Sequence, residues 1–146
     1  MNTTIIRCRK CGTKNRIPES KRHLQPKCGR CGEMIPATVL STVIEVNDTD
    51  FEKVVLQAAL PVLVDFYSPT CGPCHALAPT IDNLARKFAG SVLIAKLDTS
   101  RYQTVAGRYR IRGVPTLIFF NNGQVVDQMV GAVPQAQIEQ KIRSML

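Results

Sequence analysis

Six cysteines in three identically spaced pairs constrain this chain more than any other feature. Cys8 and Cys11, Cys28 and Cys31, and Cys71 and Cys74 each enclose two residues, a regularity that reads as function. In a secreted chain such a set would be a disulfide framework; in a reducing compartment it points to metal ligands or reactive dithiols. The opening Met1-Asn2-Thr3-Thr4-Ile5-Ile6-Arg7-Cys8 holds no apolar stretch of signal-peptide length, so a reducing, cytoplasmic setting is expected. No apolar run approaches the roughly 18 residues of a membrane span, and a membrane role is not expected.

The first two pairs lie in a stretch unlike the rest. Its candidates for burial are Ile5, Ile6, Ile17, Leu24, Met34 and Ile35, too few for a core, so this part needs its own stabilisation. From about Val43 the texture changes, which predicts a module over residues 1–37, a domain over residues 38–146 and a connection around Pro36 to Thr42. Of the formal net charge of +8, almost all sits before residue 41: Arg7, Arg9, Lys10, Lys14, Arg16, Lys21, Arg22, Lys27 and Arg30 face only Glu19 and Glu33. Four thiolates binding one Zn²⁺ would lower that local excess by about two charges. The module also lacks aromatic residues for base stacking, so nucleic acid is an unlikely partner on sequence grounds.

Cys8-Arg9-Lys10-Cys11-Gly12 and Cys28-Gly29-Arg30-Cys31-Gly32 repeat one knuckle, with sixteen residues between Cys11 and Cys28. That spacing suits a four-cysteine zinc site, and each closing glycine can turn backbone amides toward sulfur. Four protein ligands leave no open position, so one structural zinc ion is expected. Two local disulfides, free thiols, or iron in place of zinc are the alternatives, and oxidation of the thiolates would release the metal.

Beyond the module, Val43 to Val46 reads as a strand, Phe51 to Ala59 as a helix capped from within Asn47-Asp48-Thr49-Asp50, and Val62 to Tyr67 as a strand buried on both faces. A helix follows from Cys71 through Phe88 to Gly90. Next come a strand over Val92 to Leu97, a short helix over Tyr102 to Tyr109 and a strand over Thr116 to Phe120. Asn121-Asn122-Gly123 turns into a strand from Gln124 to Val130, and Pro134 opens a last helix. The order β-α-β-α-β-α-β-β-α predicts an α/β fold with a mixed central sheet flanked by helices.

Cys71-Gly72-Pro73-Cys74 sits where a buried strand feeds a helix. Helix N-terminal amides favour a thiolate at Cys71, and Cys74 can then attack the mixed disulfide intramolecularly. Cys71 is therefore the expected nucleophile and Cys74 the resolving thiol. Asp65 lies within an apolar strand, where burial should raise its pKa and let it exchange a proton with Cys74; pointing to solvent is the alternative. Lys96 reads equally as a solvated strand lysine, and His75 as a surface residue beside the dithiol.

The segments Val64 to Cys74, Ala95-Lys96-Leu97-Asp98, Arg110 to Thr116 and Asn122-Gly123 resemble the thioredoxin family over about 100 residues. With the two knuckles, Asn15-Arg16-Ile17-Pro18 and Gly131-Ala132-Val133-Pro134, the resemblance extends to the bacterial zinc-binding thioredoxin-2 type and to almost the whole chain. It implies a thioredoxin fold with an N-terminal zinc-ribbon-like module and the reduction of protein disulfides. It also implies a catalytic role for Asp65 and Lys96 beside the cysteines, a cis Pro115, a kink at Pro79, and client contacts at Thr70, Gly72, Pro73, Val114, Pro115 and Gly131. Disulfide-containing client proteins and thioredoxin reductase are the implied partners, with a monomer expected. Thr70 and Tyr67 stand where the family usually has tryptophan, which implies a smaller apolar docking surface. The competing reading is a thioredoxin-fold scaffold whose basic ribbon binds nucleic acid or an acidic partner.

Overall fold

The computed structural model describes residues 3–8, 10–18, 27–34 and 43–146. Near the N-terminus, β1 (Thr3–Arg7) and β2 (Lys14–Pro18) form an antiparallel hairpin, with Ile6 opposite Asn15 and Arg7 opposite Lys14. Strand alternation puts Ile6, Cys8, Asn15 and Ile17 on one side, and all four are buried. Met34, expected to be buried, is 51% exposed on an isolated antiparallel bridge to Lys27, with no covering strand among the described residues. Leu24, Ile35 and the expected connection Pro36 to Thr42 lie outside the described residues.

The larger unit follows the expected order. Strands β3 (Ile44–Val46), β4 (Val62–Tyr67), β5 (Leu93–Asp98), β6 (Thr116–Asn121) and β7 (Gln124–Val130) make a mixed sheet in the order β3-β5-β4-β6-β7. β3, β5 and β4 run parallel, and β4-β6 and β6-β7 are antiparallel. Helices α1 (Gly72–Lys87) and α3 (Gln135–Met145) cover one face, where Leu63, Ile94, Leu117 and Phe119 meet Leu77, Leu84 and Ile138. α2 (Gln103–Arg108) and a short π-type helix, Glu52–Leu56, cover the other. There Phe51, Phe66, Tyr109 and Phe120 pack ring on ring, with centroids 5.4 to 6.5 Å apart. Lys87 ties α1 to α3 through Glu139 at 2.5 Å.

The expected helix over Phe51 to Ala59 is shorter than its apolar pattern. The Gln57 amide donates to Glu52 O at 2.9 Å, an i→i+5 bond that widens the last turn and ends the helix before Pro61. Asn47 supplies the expected cap, accepting from the Thr49 and Asp50 amides, and Asp50 Oδ1 accepts from the Asn47 amide in return. Asp48 caps a different helix: its carboxylate accepts from the Thr104 and Val105 amides at the start of α2. No helix among the described residues is long and apolar enough to cross a membrane.

The turn between β6 and β7 places Asn122 at φ 54° and Gly123 at φ 79°, the paired left-handed geometry of a type I′ hairpin. A Cβ on Gly123 would stand 2.7 Å from the Leu56 carbonyl oxygen, so this turn locks the end of the π-type helix as well. Gly123→Ala is expected to cost on the order of 2 kcal/mol and to lower Tm by about 10 °C. Gly107→Ala, inside α2 with open space around it, should be neutral or stabilising by up to about 1 kcal/mol. Thermal unfolding of the two variants checks the contrast.

Candidate active site and metal centre

Strand β4 ends at Tyr67 and α1 begins at Gly72, so the intervening turn carries Cys71 to the edge of the sheet. Cys71 is the N-cap of α1, with extended backbone (φ −89°, ψ 116°), and Pro73 occupies the first turn, where its missing N–H costs nothing. In place of the usual side-chain oxygen the cap atom is sulfur: Cys71 Sγ accepts from the Cys74 amide at 3.1 Å. That dipole and the helix terminus behind it favour negative charge on the same sulfur. Cys71 and Cys74 are joined as a disulfide with Cα atoms 5.2 Å apart. Cys71 is half-buried and Cys74 is 5% exposed, so one sulfur can be reached from outside and the other is shielded.

The loop before β6 faces this turn. Cys71 Sγ lies 3.5 Å from the Val114 carbonyl oxygen, and the Val114–Pro115 peptide bond is cis, as the resemblance implied. The Gly131 amide donates to Pro115 O at 2.8 Å, which fixes the end of β7 beside the same loop. Thr70, Gly72 and Pro73 are exposed around Cys71, Val114 and Gly131 are half-buried, and Pro115 is buried. His75 reaches back from α1, its Nε2 2.7 Å from Pro69 O. Pro79 lies inside α1.

Asp65 is on the α1 side of β4, the side that also holds Leu63, and is 5% exposed. Its Oδ1 has no hydrogen-bond partner among the described residues. Lys96 stands directly across from it on β5. Burial pushes the Asp65 carboxyl up to about 7, against the smaller opposing pull of the Lys96 charge. Solvent is therefore not where this side chain points, and the Lys96 charge acts on it.

The second cluster sits at the end of the β1-β2 hairpin. Sγ atoms of Cys8, Cys11, Cys28 and Cys31 all lie within 4.8 Å of one another, with Cys8 to Cys31 at 3.5 Å and Cys11 to Cys28 at 3.6 Å. A tetrahedral ion with metal–sulfur bonds of about 2.3 Å needs sulfurs about 3.8 Å apart, so the four fit zinc with little adjustment. Both knuckles share one pattern. Lys10 and Arg30 amides donate to Cys8 and Cys28 sulfurs, and Gly12 and Gly32, at φ 76° and 77°, return their amides to the Cys8 and Cys28 carbonyls. The Cys31 and Arg30 amides hold the Cys28 thiol down to about 6. At Cys31 the Glu33 amide pulls the same way, but burial and the three neighbouring thiols together push it up to about 12. A divalent cation among the four sulfurs would offset the crowding that holds the Cys31 thiol up.

One residue of this centre was not singled out by sequence reasoning as a site residue. Asn15, buried on β2, accepts from the Gly29 amide at 2.9 Å and donates to Thr13 O at 3.1 Å, joining one knuckle to the other. Its only sequence signal was membership of the segment Asn15 to Pro18.

Two outcomes follow. Because burial raises the folded-state pKa of Asp65 above its unfolded 3.8, the folded protein holds the extra proton. Its stability contribution is then whole below about pH 4 and is lost as pH rises through 7. Asp65→Asn should abolish that loss, amounting to about 4 kcal/mol between pH 4 and pH 8, in denaturant unfolding of the oxidised protein. Asn15→Ala should weaken zinc binding roughly 10- to 100-fold in chelator competition, without touching a ligand.

The family model described as Thioredoxin matches residues 42–144, and the one described as Thioredoxin 2, N-terminal matches residues 7–33. The thioredoxin of Haemophilus influenzae is 44% identical over 99 residues, which is 68% of this chain and 92% of that one. Thioredoxin 1 of Nostoc sp. is 41% identical over 107 residues, 73% of this chain and all of that one. The chloroplastic M-type thioredoxin of Chlamydomonas reinhardtii is 35% identical over 130 residues, covering 89% and 93%. With an accessible sulfur at a helix cap, a shielded one in the first turn behind it and a four-cysteine cluster on an N-terminal hairpin, the chain belongs to the thioredoxin family, as a thiol–disulfide oxidoreductase of the zinc-ribbon thioredoxin-2 type.

Proposed function

We propose that the chain reduces protein disulfides through Cys71 and Cys74, with Asp65 as proton acceptor and Lys96 bearing on it. The observation that carries this reading is the cap: the attacking sulfur is reachable from outside and the resolving one sits shielded behind it, while the strand that leads into the cap carries a buried acid on the α1 side. The Cys71 thiolate attacks one sulfur of a client disulfide. A Cys71–client disulfide forms as the client S–S bond breaks, and the first client thiolate leaves. Asp65 takes the Cys74 proton, directly or through water, and the Cys74 thiolate attacks Cys71 Sγ. The Cys71–Cys74 disulfide closes, the second client thiolate leaves, and two electrons have passed to the client. Thioredoxin reductase is the proposed donor that restores the dithiol.

Exposed Thr70, Gly72 and Pro73 form the proposed docking rim with Val114, Pro115 and Gly131. An extended client segment can pair with the Val114 backbone, whose amide makes no hydrogen bond among the described residues. Residues 1–37 form the metal module and 38–146 the catalytic domain. In the module, Cys8, Cys11, Cys28 and Cys31 hold one zinc ion, which crosslinks a hairpin too small to stand alone. The protein acts as a cytoplasmic monomer, in keeping with thiols that need a reducing setting.

Reduction of insulin disulfides with a dithiol donor tests the reading. Cys71→Ser should drop the rate to that of the donor alone, whereas Cys74→Ser should accumulate a Cys71-linked mixed disulfide visible by mass spectrometry. Full activity in Cys71→Ser would overturn the assignment.

A further inference from the structure

The sheet face beneath α1 carries a row of charge that the reaction above uses only in part. Register sets Glu45, Lys96 and Asp65 abreast on β3, β5 and β4, and β6 closes the row with Leu117. Tyr67, two residues past Asp65, stands on the same side of β4. Its hydroxyl donates to Glu45 Oε1 at 2.5 Å, and Lys96 Nζ lies 5.6 Å from its ring centroid. Among the described residues no ion pair joins Lys96 to either carboxylate. The cation rests over the ring between them.

The other charged groups on this side are paired elsewhere: Asp127 on β7 with Lys141 of α3, and Glu139 of α3 with Lys87 and Arg143. Asp98, next along β5, accepts from the Ser100 amide and hydroxyl at 2.9 and 2.6 Å, and α1 contributes Cys74. Lys96 is the cation whose charge acts on Asp65. Two acids, on the strands that flank β5, therefore stand on either side of one cation, on unequal terms. Glu45 is exposed to solvent, whereas Asp65 must be charged inside the protein.

We propose that Glu45 is a positioning residue for the dithiol reaction. Held by the Tyr67 hydroxyl, it draws Lys96 over the Tyr67 ring and away from close pairing with Asp65, which keeps that acid ready to accept and return a proton. The proposal rests on Asp65 serving Cys74, and the two can fail separately.

The test reads the Asp65 carboxyl itself by carbon-detected NMR titration, alongside the pH profile of insulin reduction. Glu45→Gln keeps an acceptor for Tyr67 but removes the charge. It should lower the Asp65 midpoint by about half a pH unit, and the pH profile should move with it. Glu45→Asp should restore the original midpoint, and Tyr67→Phe should shift it in the same direction as Glu45→Gln by a smaller amount. A midpoint unchanged or raised in Glu45→Gln, with the fold intact by circular dichroism, overturns the role of Glu45. A midpoint that falls while the profile stays still overturns the role of Asp65 and leaves the charge coupling standing.

Discussion

The reactive half of the molecule depends on placing one carboxyl group in the middle of a buried apolar strand, between Lys96 on one neighbour and Leu117 on the other. β4 is the middle strand of five, paired on both sides and roofed on both faces, and every residue from Val62 to Phe66 is buried. A leucine or valine at position 65 would suit that setting better. Ionising Asp65 there runs against desolvation, so the group titrates near neutrality rather than near 4. That misfit suits the proton transfer proposed for it, since an acid poised near 7 can both take and return a proton under cellular conditions. The rest of the domain supplies the stability that lets one unfavourable residue persist.

The N-terminal module solves a different problem. Two five-residue strands with Ile6 and Ile17 as their buried aliphatic side chains cannot close a core. Four sulfurs drawn from two matching knuckles, with Asn15 clasped between them, offer a coordination site where hydrophobic burial is scarce. The same element, cysteine at a spacing of three, therefore does unlike work in the two units. In the hairpin, amides and neighbouring thiols prepare a closed ligand set; at α1, a helix terminus and an open approach prepare a nucleophile.

Much of this was legible in the chain, and the misses share one cause. Hairpin position, strand order and the α1 boundaries follow from local chemistry: Asn122-Gly123 accepts positive φ, Gly90 ends a helix, and apolar alternation marks the strands. What escaped depends on partners far along the chain. Asp48 read as a cap for the helix beside it, yet it caps α2 some 56 residues away. The π-type turn ends against a carbonyl contact with Gly123, which no pattern within Phe51 to Ala59 records. Likewise Glu45 looks like an ordinary edge-strand acid until the sheet sets it opposite Lys96 and beneath the Tyr67 hydroxyl. At the dithiol the sequence named the right cysteines because their spacing is the chemistry; it could not show which neighbours share their field.

The sulfur cap of α1 also bears on who can intercept the reaction. While Cys71 is bonded to a client, its neighbour three residues on remains in the same helical turn. Well-oriented groups in one molecule can behave as though present at about 10⁵ M or more. Small thiols in a cell compete for the same bond at concentrations many orders of magnitude lower. Client release is thus decided inside the protein, and surrounding thiols set the supply of clients more than the fate of the one already bound.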